Sequence, residues 1–240
     1  MIKVVVNVDD YGYTKSQIDG TIYGYQHGVI SSTTCLANSR DELMEYAAQK
    51  AKENPGLGIG CHLVLTLGEC LTKGKTICDE NGMFTKHVIE DYEKMDREEI
   101  YQEFKAQIER FIKFFGKKPT HLDGHHRTYG VMTVNRINEI VWQLTEEYGL
   151  AKGRQFSDDI VYIGCLYNNL TIENFENAIM DAYHGDGCKF MEHACHVAFV
   201  DEELFTKSSY NYQRVQELKV LTSPEILQFY KDNNIERATY

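Results

Sequence analysis

The chain of 240 residues is acidic: 25 Lys and Arg stand against 36 Asp and Glu, for a formal net charge of −11. No basic stripe stands out from that background, so neither nucleic acid nor an anionic membrane surface is an expected partner. The length suits one large α/β domain, and no Pro-, Ser- or Gly-rich linker divides it. We therefore expect a single domain over residues 1–240.

Two further features of the composition bear on where the protein works. The first predicted strand begins at residue 2, and no apolar run approaches the roughly 20 residues that a membrane span needs. Seven cysteines without a C-x-x-C pair favour reduced thiols over a disulfide framework or a thiolate zinc site. Both features predict a cytoplasmic protein.

The first predicted strand is an apolar, β-branched run that stops at two adjacent carboxylates, Asp9 and Asp10, before a turn at Gly12. This pattern is typical of a buried strand with acids at its carboxyl end. A helical pattern follows, with Thr14 as its candidate cap and an end near Gly28.

A second histidine-bearing strand follows a β-branched segment (29–36) and a charged amphipathic helix (about 40–54). This strand is apolar and is interrupted by one histidine, His62. After it, residues 68–96 lack clear periodicity and contain a turn signal at 79–82. A segment of that length without a helix is predicted to be a functional covering loop, a lid inserted at 68–96.

The next strand, after a helix at 97–115, carries His121, Asp123 and His125. Side chains alternate along extended chain, so these three point to one face. Burying three such polar groups is costly unless they are paired or hold a metal ion, which favours a metal site. The alternative is a strand of mixed polarity at a sheet edge, with His121 and Asp123 bonded to each other.

The remaining predicted elements are helices at 131–148 and 172–183, a strand around Glu192, and a final helix from Ser223. On that last strand Glu192 and His196 share one face. Repeated strand–helix units imply a parallel sheet with right-handed crossovers. About seven strands in a chain near the roughly 250 residues of β/α barrels favour a barrel over an open sheet. Catalytic groups of barrels gather at the carboxyl ends of the strands.

The residue types at those strand ends suit metal-assisted hydrolysis of an amide or ester. His62, His125 and one acid of the Asp9–Asp10 pair would hold a divalent ion and leave positions open for water and substrate. The other acid of the pair is then placed to act as general base, and His196 to protonate the leaving group.

Six motifs follow one another along the chain. They are residues 7–12 (Asn-Val-Asp-Asp-Tyr-Gly), 31–34 (Ser-Ser-Thr-Thr), 59–63 (Ile-Gly-Cys-His-Leu) and 118–126 (Lys-Pro-Thr-His-Leu-Asp-Gly-His-His), then Glu192 with Cys195-His196, and finally Arg214, Glu217-Leu218 and Leu221-Thr222-Ser223. In this order they resemble the YdjC-like carbohydrate deacetylases, and among them most of all the chito-oligosaccharide deacetylases of bacteria. The resemblance covers nearly the whole chain.

The resemblance implies a fold, an activity and an assembly. The fold is an α/β one: an irregular (β/α) barrel related to the polysaccharide deacetylases, with parallel strands and flanking helices. The activity is removal of the N-acetyl group from an amino sugar in small chitin-derived oligosaccharides, including forms phosphorylated after import. A homodimer is the expected assembly.

The resemblance also implies roles for individual residues. His62 and His125 stand at metal-ligand positions with Asp10 as the third ligand, Asp9 is the base, and His196 is the second catalytic group. The residues that it assigns to substrate binding are Arg214, Glu192, Asp123 and His126. Magnesium is the metal that the family implies, whereas two imidazoles suit zinc or another transition ion better.

The chain also departs from the family pattern, most clearly at Arg127, where relatives tend to have a histidine. An arginine near the mouth of the site favours an anionic, phosphorylated sugar, and a solvated loop charge is the alternative. Two rival functions stay open. A metal-independent glycoside hydrolase would use Asp9 with Asp123 or Glu192 but leaves the histidines without a role. The other rival is a non-catalytic sugar-binding protein.

Overall fold

A computed structural model of the chain describes residues 1–84, 94–126, 137–153 and 160–240, without the side chain of Asp186. Within these ranges the chain forms eight strands: β1 (Ile2–Tyr11), β2 (Ser32–Cys35), β3 (Gly58–Leu63), β4 (His121–Gly124), β5 (Ala151–Lys152), β6 (Val161–Tyr162), β7 (Phe190–Cys195) and β8 (Ile235–Arg237). The same ranges contain eight α-helices: α1 (Lys15–His27), α2 (Asp41–Glu53), α3 (Arg97–Phe115), α4 (Ile137–Tyr148), α5 (Ile172–Asp186), α6 (Glu202–Lys207), α7 (Tyr212–Leu221) and α8 (Pro224–Asp232). A 3-10 turn spans Tyr167–Asn169.

The strands form one parallel sheet with the order β5-β4-β3-β2-β1-β7-β6, and β8 pairs with β1. Strand β1 lies at the centre and is buried on both faces apart from Lys3, which explains its unbroken apolar run. Helices connect most of the successive strands and flank the sheet. The predicted α/β fold with parallel strands and flanking helices is confirmed.

The sheet is curled around an interior. The hydroxyl of Tyr240 donates to Glu192 on β7, while its ring stacks on His121 of β4 with centroids 3.8 Å apart. Three strands separate β4 from β7, and in a flat sheet four strand spacings of ~4.8 Å would place them about 19 Å apart. One side chain reaches both because the sheet is rolled into an irregular barrel. Among the described residues the pairings do not join β5 to β6.

A glycine makes room for the interior ring of His121. A Cβ at Gly60 on β3 would lie only 2.6 Å from the Cε1 atom of His121. The imidazole therefore fits against bare backbone, and any larger residue at position 60 would push it away.

Helix boundaries follow from local capping. Thr14 accepts a hydrogen bond from the backbone N–H of Gln17 at 3.2 Å and starts α1. Asp96 accepts from two backbone N–H groups at the start of α3, and Gly116 ends that helix in the left-handed region at φ 64°. These signals stand in the sequence, so the predicted bounds of α3 agree with the structure.

Short elements escaped prediction. Strands β5, β6 and β8 have two or three residues each, too few for a period of two to show. Helix α7 was missed because its buried face is half polar: it buries Arg214 and Glu217 beside Leu218 and Leu221. The first residues of the helix predicted at 131–148 lie outside the described ranges, as does Arg127.

No helix in the described part of the chain is both long enough and apolar enough to cross a membrane.

Candidate metal and catalytic site

A bulge at the carboxyl end of β1 places both acids of the pair in the interior. Val8 pairs with Thr33 and Tyr11 with Cys35, so the register shifts between these two pairs. Within the bulge Asp10 has φ 66°, in the left-handed region that Asp tolerates better than most residues. Regular alternation would have turned Asp9 and Asp10 to opposite faces. Instead both are almost completely buried beside the histidines described next.

Asp10, His62 and His125 form the cluster that the sequence predicted as metal ligands. Asp10 Oδ1 lies 3.0 Å from His125 Nδ1 and 3.6 Å from His62 Nε2, and the two ring nitrogens are 3.3 Å apart. Ligand atoms that bind one divalent ion at ~2.1 Å lie about 3.0 Å apart at right angles and about 3.4 Å apart at tetrahedral angles. The spacing of the three atoms fits a divalent ion, and all three residues are buried.

Asp123 and Thr34 orient His62. The Nδ1–H of His62 donates to Asp123 Oδ1, and Thr34 Oγ1 donates to the other carboxylate oxygen at 3.0 Å. Burial lowers the pKa of His62, but the charge and hydrogen bond of Asp123, together with the charges of Asp9 and Asp10, outweigh burial and raise it. The arrangement holds the ring with Nε2 toward Asp10, the geometry that a carboxylate gives to a metal-binding histidine.

Asp123 is thus engaged behind His62, and the predicted contact between Asp123 and substrate stays untested. A second set of ligand atoms, from Asp9, His62 and Asp123, is also close enough to share an ion. The set with Asp10 is the better candidate, because Asp123 already accepts hydrogen bonds from His62 and Thr34.

Arg214 of α7 holds Asp10 from the side away from the histidines. Its Nη2 lies 2.9 Å from Asp10 Oδ2, and the guanidinium sits between the rings of Tyr13 and Tyr210, at 6.0 and 5.8 Å from their centroids. Burial raises the pKa of Asp10, but His125 and Arg214 together hold it well below its ordinary value. Asp10 is therefore ionised, as a metal ligand must be. Arg214, predicted to bind substrate, is placed where it supports Asp10.

Asp9 and His196 face each other beside the cluster, with Asp9 Oδ2 at 3.8 Å from His196 Nε2. Asn7 donates to Asp9 Oδ1 at 3.0 Å, and Gln17 donates to the backbone oxygen of Asp9 at 3.0 Å. The backbone N–H of His196 donates to Glu217 at 2.5 Å. The two predicted catalytic residues are thus brought together, with a buried partner on the side chain of Asp9 and another on the backbone of His196.

The other two residues predicted to bind substrate lie in different places. His126 follows β4 with φ 51°, shares a hydrogen bond with Thr66 at 2.8 Å, and packs its ring against that of His125. Glu192 lies on β7, four residues and roughly 13 Å before His196, which follows the end of that strand, and Glu192 is bonded to Tyr240. The structure does not bring Glu192 to the metal cluster.

Several supporting residues were quoted in the motifs without a role. Asn7 shares the face of Asp9 by a period of two, and Thr34 lies within β2, which is rich in hydroxyl side chains, so both carried a signal. Glu217 stands in the last motif without a local pattern that indicates its role, and Tyr210 lies outside the motifs. Burial raises the pKa of Glu217, which accepts a hydrogen bond from the hydroxyl of Tyr210.

The described part of the segment predicted as a lid, residues 68–84 and 94–96, is fixed to α3. The backbone N–H groups of Leu71 and Thr72 donate to Glu103, which is fully buried, at 3.2 and 2.9 Å. Those of Lys75 and Thr76 donate to Glu99 at 3.0 and 2.7 Å. Phe84, two residues after the turn in this segment, is buried in the core. Residues 85–93 lie outside the described ranges.

Comparison with known proteins gives a family. The family model described as YdjC-like protein matches residues 3–232. A carbohydrate deacetylase of Clostridium beijerinckii is 36% identical over 100% of this chain and 99% of its own length. A chitooligosaccharide deacetylase of Yersinia enterocolitica is 33% identical over 94% and 92% of the two chains.

Solved structures agree on the fold. One of them is the crystal structure of a protein from Enterococcus faecalis V583 that is described as a cellobiose-phosphate cleavage protein. It matches with a TM-score of 0.88 and 30% identity, and the match covers 100% of this chain and 97% of the other. A family 4 carbohydrate esterase from Streptomyces lividans, in complex with acetate, has a TM-score of 0.51 at 12% identity, covering 98% and 90%, and shares the fold alone.

Proposed function

The chain belongs to the YdjC-like protein family, and we propose that it is a metal-dependent carbohydrate deacetylase. Its substrate in this proposal is a small chitin-derived oligosaccharide from which it removes an N-acetyl group. The observation that carries the proposal is the buried triangle of Asp10, His62 and His125, with Asp9 and His196 directly beside it. Relatives at 33–36% identity that are named carbohydrate and chitooligosaccharide deacetylases support it.

The reaction breaks the amide C–N bond and forms a C–O bond, which releases acetate and an amine. A divalent ion held by Asp10, His62 and His125 would lower the pKa of a water molecule and polarise the acetamide carbonyl. Asp9 accepts the proton of the attacking water, since Asp10 is the acid that meets both histidines and Arg214 as a metal ligand. His196, at 3.8 Å from Asp9, donates a proton to the departing nitrogen.

The remaining side chains around the site keep those groups in position. Asp123 fixes the ring of His62, and Arg214 neutralises part of the charge that Asp10 brings into a buried place. Two imidazoles and one carboxylate suit zinc or a similar transition ion, while family resemblance implies magnesium. Both ions are therefore tested below.

Acetate release is the direct test of this function. The purified protein is stripped with a chelator, reloaded with Mg²⁺ or Zn²⁺, and given N-acetylated glucosamine mono- and disaccharides with and without a 6-phosphate. We expect metal-dependent release of acetate and no shortening of the sugar chain. The 6-phosphorylated sugars are included because the sequence predicts that Arg127 favours an anionic substrate. Arg127 itself lies outside the described ranges.

The rival functions have different outcomes in the same assay. New reducing ends without acetate would show a glycoside hydrolase, and saturable sugar binding without any product would show a binding protein. Either result overturns the proposal. The Asp9→Asn variant is the matched control, because it removes the base and leaves the three metal ligands in place.

A homodimer and a cytoplasmic location stay predictions.

A further inference from the structure

One exposed aromatic side chain lies directly beside the catalytic pair. Tyr167 begins the 3-10 turn between β6 and α5, and 56% of its surface is exposed. Its ring stacks on the imidazole of His196, with centroids 5.7 Å apart and planes inclined by 23°. It thus extends the wall of the site outward from His196 toward solvent.

A second ring holds Tyr167 in this orientation. Tyr210 meets Tyr167 edge-on, with centroids 6.0 Å apart, and meets His196 at 5.7 Å. Tyr210 is itself fixed, since its hydroxyl donates to Glu217 and its backbone oxygen accepts from Arg214 at 2.8 Å. The outer tyrosine therefore rests on residues that also hold His196 and Asp10.

The backbone of Tyr167 is strained. Its φ of 44° lies in the left-handed region, where a bulky side chain is a genuine outlier. Among the described residues other than glycine, five have positive φ, and two of the others, Asp10 and His126, also lie at the site. Such strain persists where function requires the side chain in that place.

We propose that Tyr167 is a stacking platform for a second pyranose ring, next to the sugar that loses its acetyl group. This inference rests on the proposed deacetylase function and deepens it, because it assigns a residue that favours oligosaccharides over single sugars. A pyranose presents a face of C–H groups that packs on the electron-rich face of an aromatic ring.

The position of Tyr167 identifies which ring it meets. The nitrogen of the reacting sugar must come within hydrogen-bond reach of His196 Nε2, the atom that faces Asp9. Tyr167 stacks on the imidazole at an offset, with the ring centroids 5.7 Å apart, and is the more exposed of the two residues. The reacting sugar fills the place beside Nε2, so the ring on Tyr167 is its glycosidic neighbour.

The test compares an N-acetylated glucosamine disaccharide with the monosaccharide, using metal-loaded protein. In Tyr167→Ala we expect KM for the disaccharide to rise about tenfold, the size of one lost stacking contact, with kcat little changed. KM for the monosaccharide should change less than about twofold. Tyr167→Phe should keep the wild-type preference, because the ring and not the hydroxyl makes the contact.

Two further variants separate stacking from folding. Tyr167→Asn suits the left-handed backbone, so it should keep or raise Tm while losing the disaccharide preference. Tyr23→Ala, which removes an exposed tyrosine that packs beside His27 on α1, should leave both sugars unaffected. An unchanged KM for the disaccharide in Tyr167→Ala, or an equal rise for both sugars, overturns the inference.

Failure of the proposed function gives a different result. In that case unaltered protein releases no acetate from either sugar, and disaccharide binding is measured by calorimetry instead. Weaker disaccharide binding by Tyr167→Ala than by unaltered protein would still support the platform. Equal binding, or no binding by either protein, would refute it.

Discussion

Changing each acid of the β1 pair to its amide should separate a metal ligand from a proton acceptor, because the two side chains have different neighbours. Asp10 bonds Arg214 at 2.9 Å and His125 at 3.0 Å, and all three side chains are buried. Asp9 bonds the neutral amide of Asn7 at 3.0 Å. The backbone need not change, since Asn also tolerates the left-handed region that position 10 requires.

The magnitudes follow from the partners that each change leaves behind. Asp10→Asn removes the carboxylate that the buried guanidinium of Arg214 bonds, and breaking a buried ion pair costs about 3–5 kcal/mol. The amide oxygen still accepts one hydrogen bond, so we expect about 3 kcal/mol. For a chain of this length that lowers the Tm of the metal-free protein by roughly 6–12 °C. Asp9→Asn keeps an oxygen that can accept the hydrogen bond of Asn7, so the loss from that contact is at most about 1 kcal/mol, or roughly 2–4 °C.

Three measurements read out the division of roles: Tm in chelator, bound metal after dialysis, and the rate of acetate release. Asp9→Asn should retain the metal and lose about 10²–10⁴ in kcat, the usual size of a general-base effect. Asp10→Asn should lose metal affinity as well as stability. Equal loss of metal in both variants would refute the assignment.

Three further predictions concern residues around the cluster. Asp123→Asn should lower metal affinity about 10- to 100-fold, measured by competition with a chelating dye, because the ring of His62 loses its charged partner; wild-type affinity would exclude that role. Glu103→Gln should expose residues 70–76 to limited proteolysis, because the buried carboxylate that holds them is lost. This change, or a shortening of 68–96, should reduce activity on a disaccharide more than it reduces metal binding. A variant that keeps the full kcat/KM would show that the segment is not a lid. The pKa of Asp10 in the folded protein lies below its ordinary value of 3.8. The ionised carboxylate therefore contributes its full stabilisation above pH 3.8, and this contribution is lost as the pH falls through the folded pKa. The Tm difference between metal-free wild type and Asp10→Asn should therefore narrow below about pH 4, and a difference that widens there would contradict the sign.

The grouping of Asp10, His62 and His125 was predictable because it depends only on where strands end. Parallel strands place their carboxyl ends at one edge, so polar residues that follow apolar runs meet there whatever the details of packing. The bounds of α3 were predictable for a local reason: Asp96 caps its start and Gly116 ends it.

The supporting contacts were not predictable from the sequence. The ion pair between Arg214 and Asp10 joins residues 204 positions apart, and nothing near either one in the chain indicates the other. Alternation on β1 would have separated Asp9 from Asp10, and only the bulge unites them. Such features depend on tertiary register, which local patterns do not contain.

The central place of β1 has a consequence for the order in which the protein folds. This strand, formed by the first residues of the chain, pairs with β7 and with β8, near the other end. Contacts between such distant residues form slowly, because closing a long loop costs conformational entropy before the contacts can stabilise the chain. Helix pairs such as α1 and α2 can form early, but Asp10 meets Arg214 only after nearly all of the chain has been synthesised. Formation of the ion pair between Asp10 and Arg214 should therefore be among the last steps of assembly.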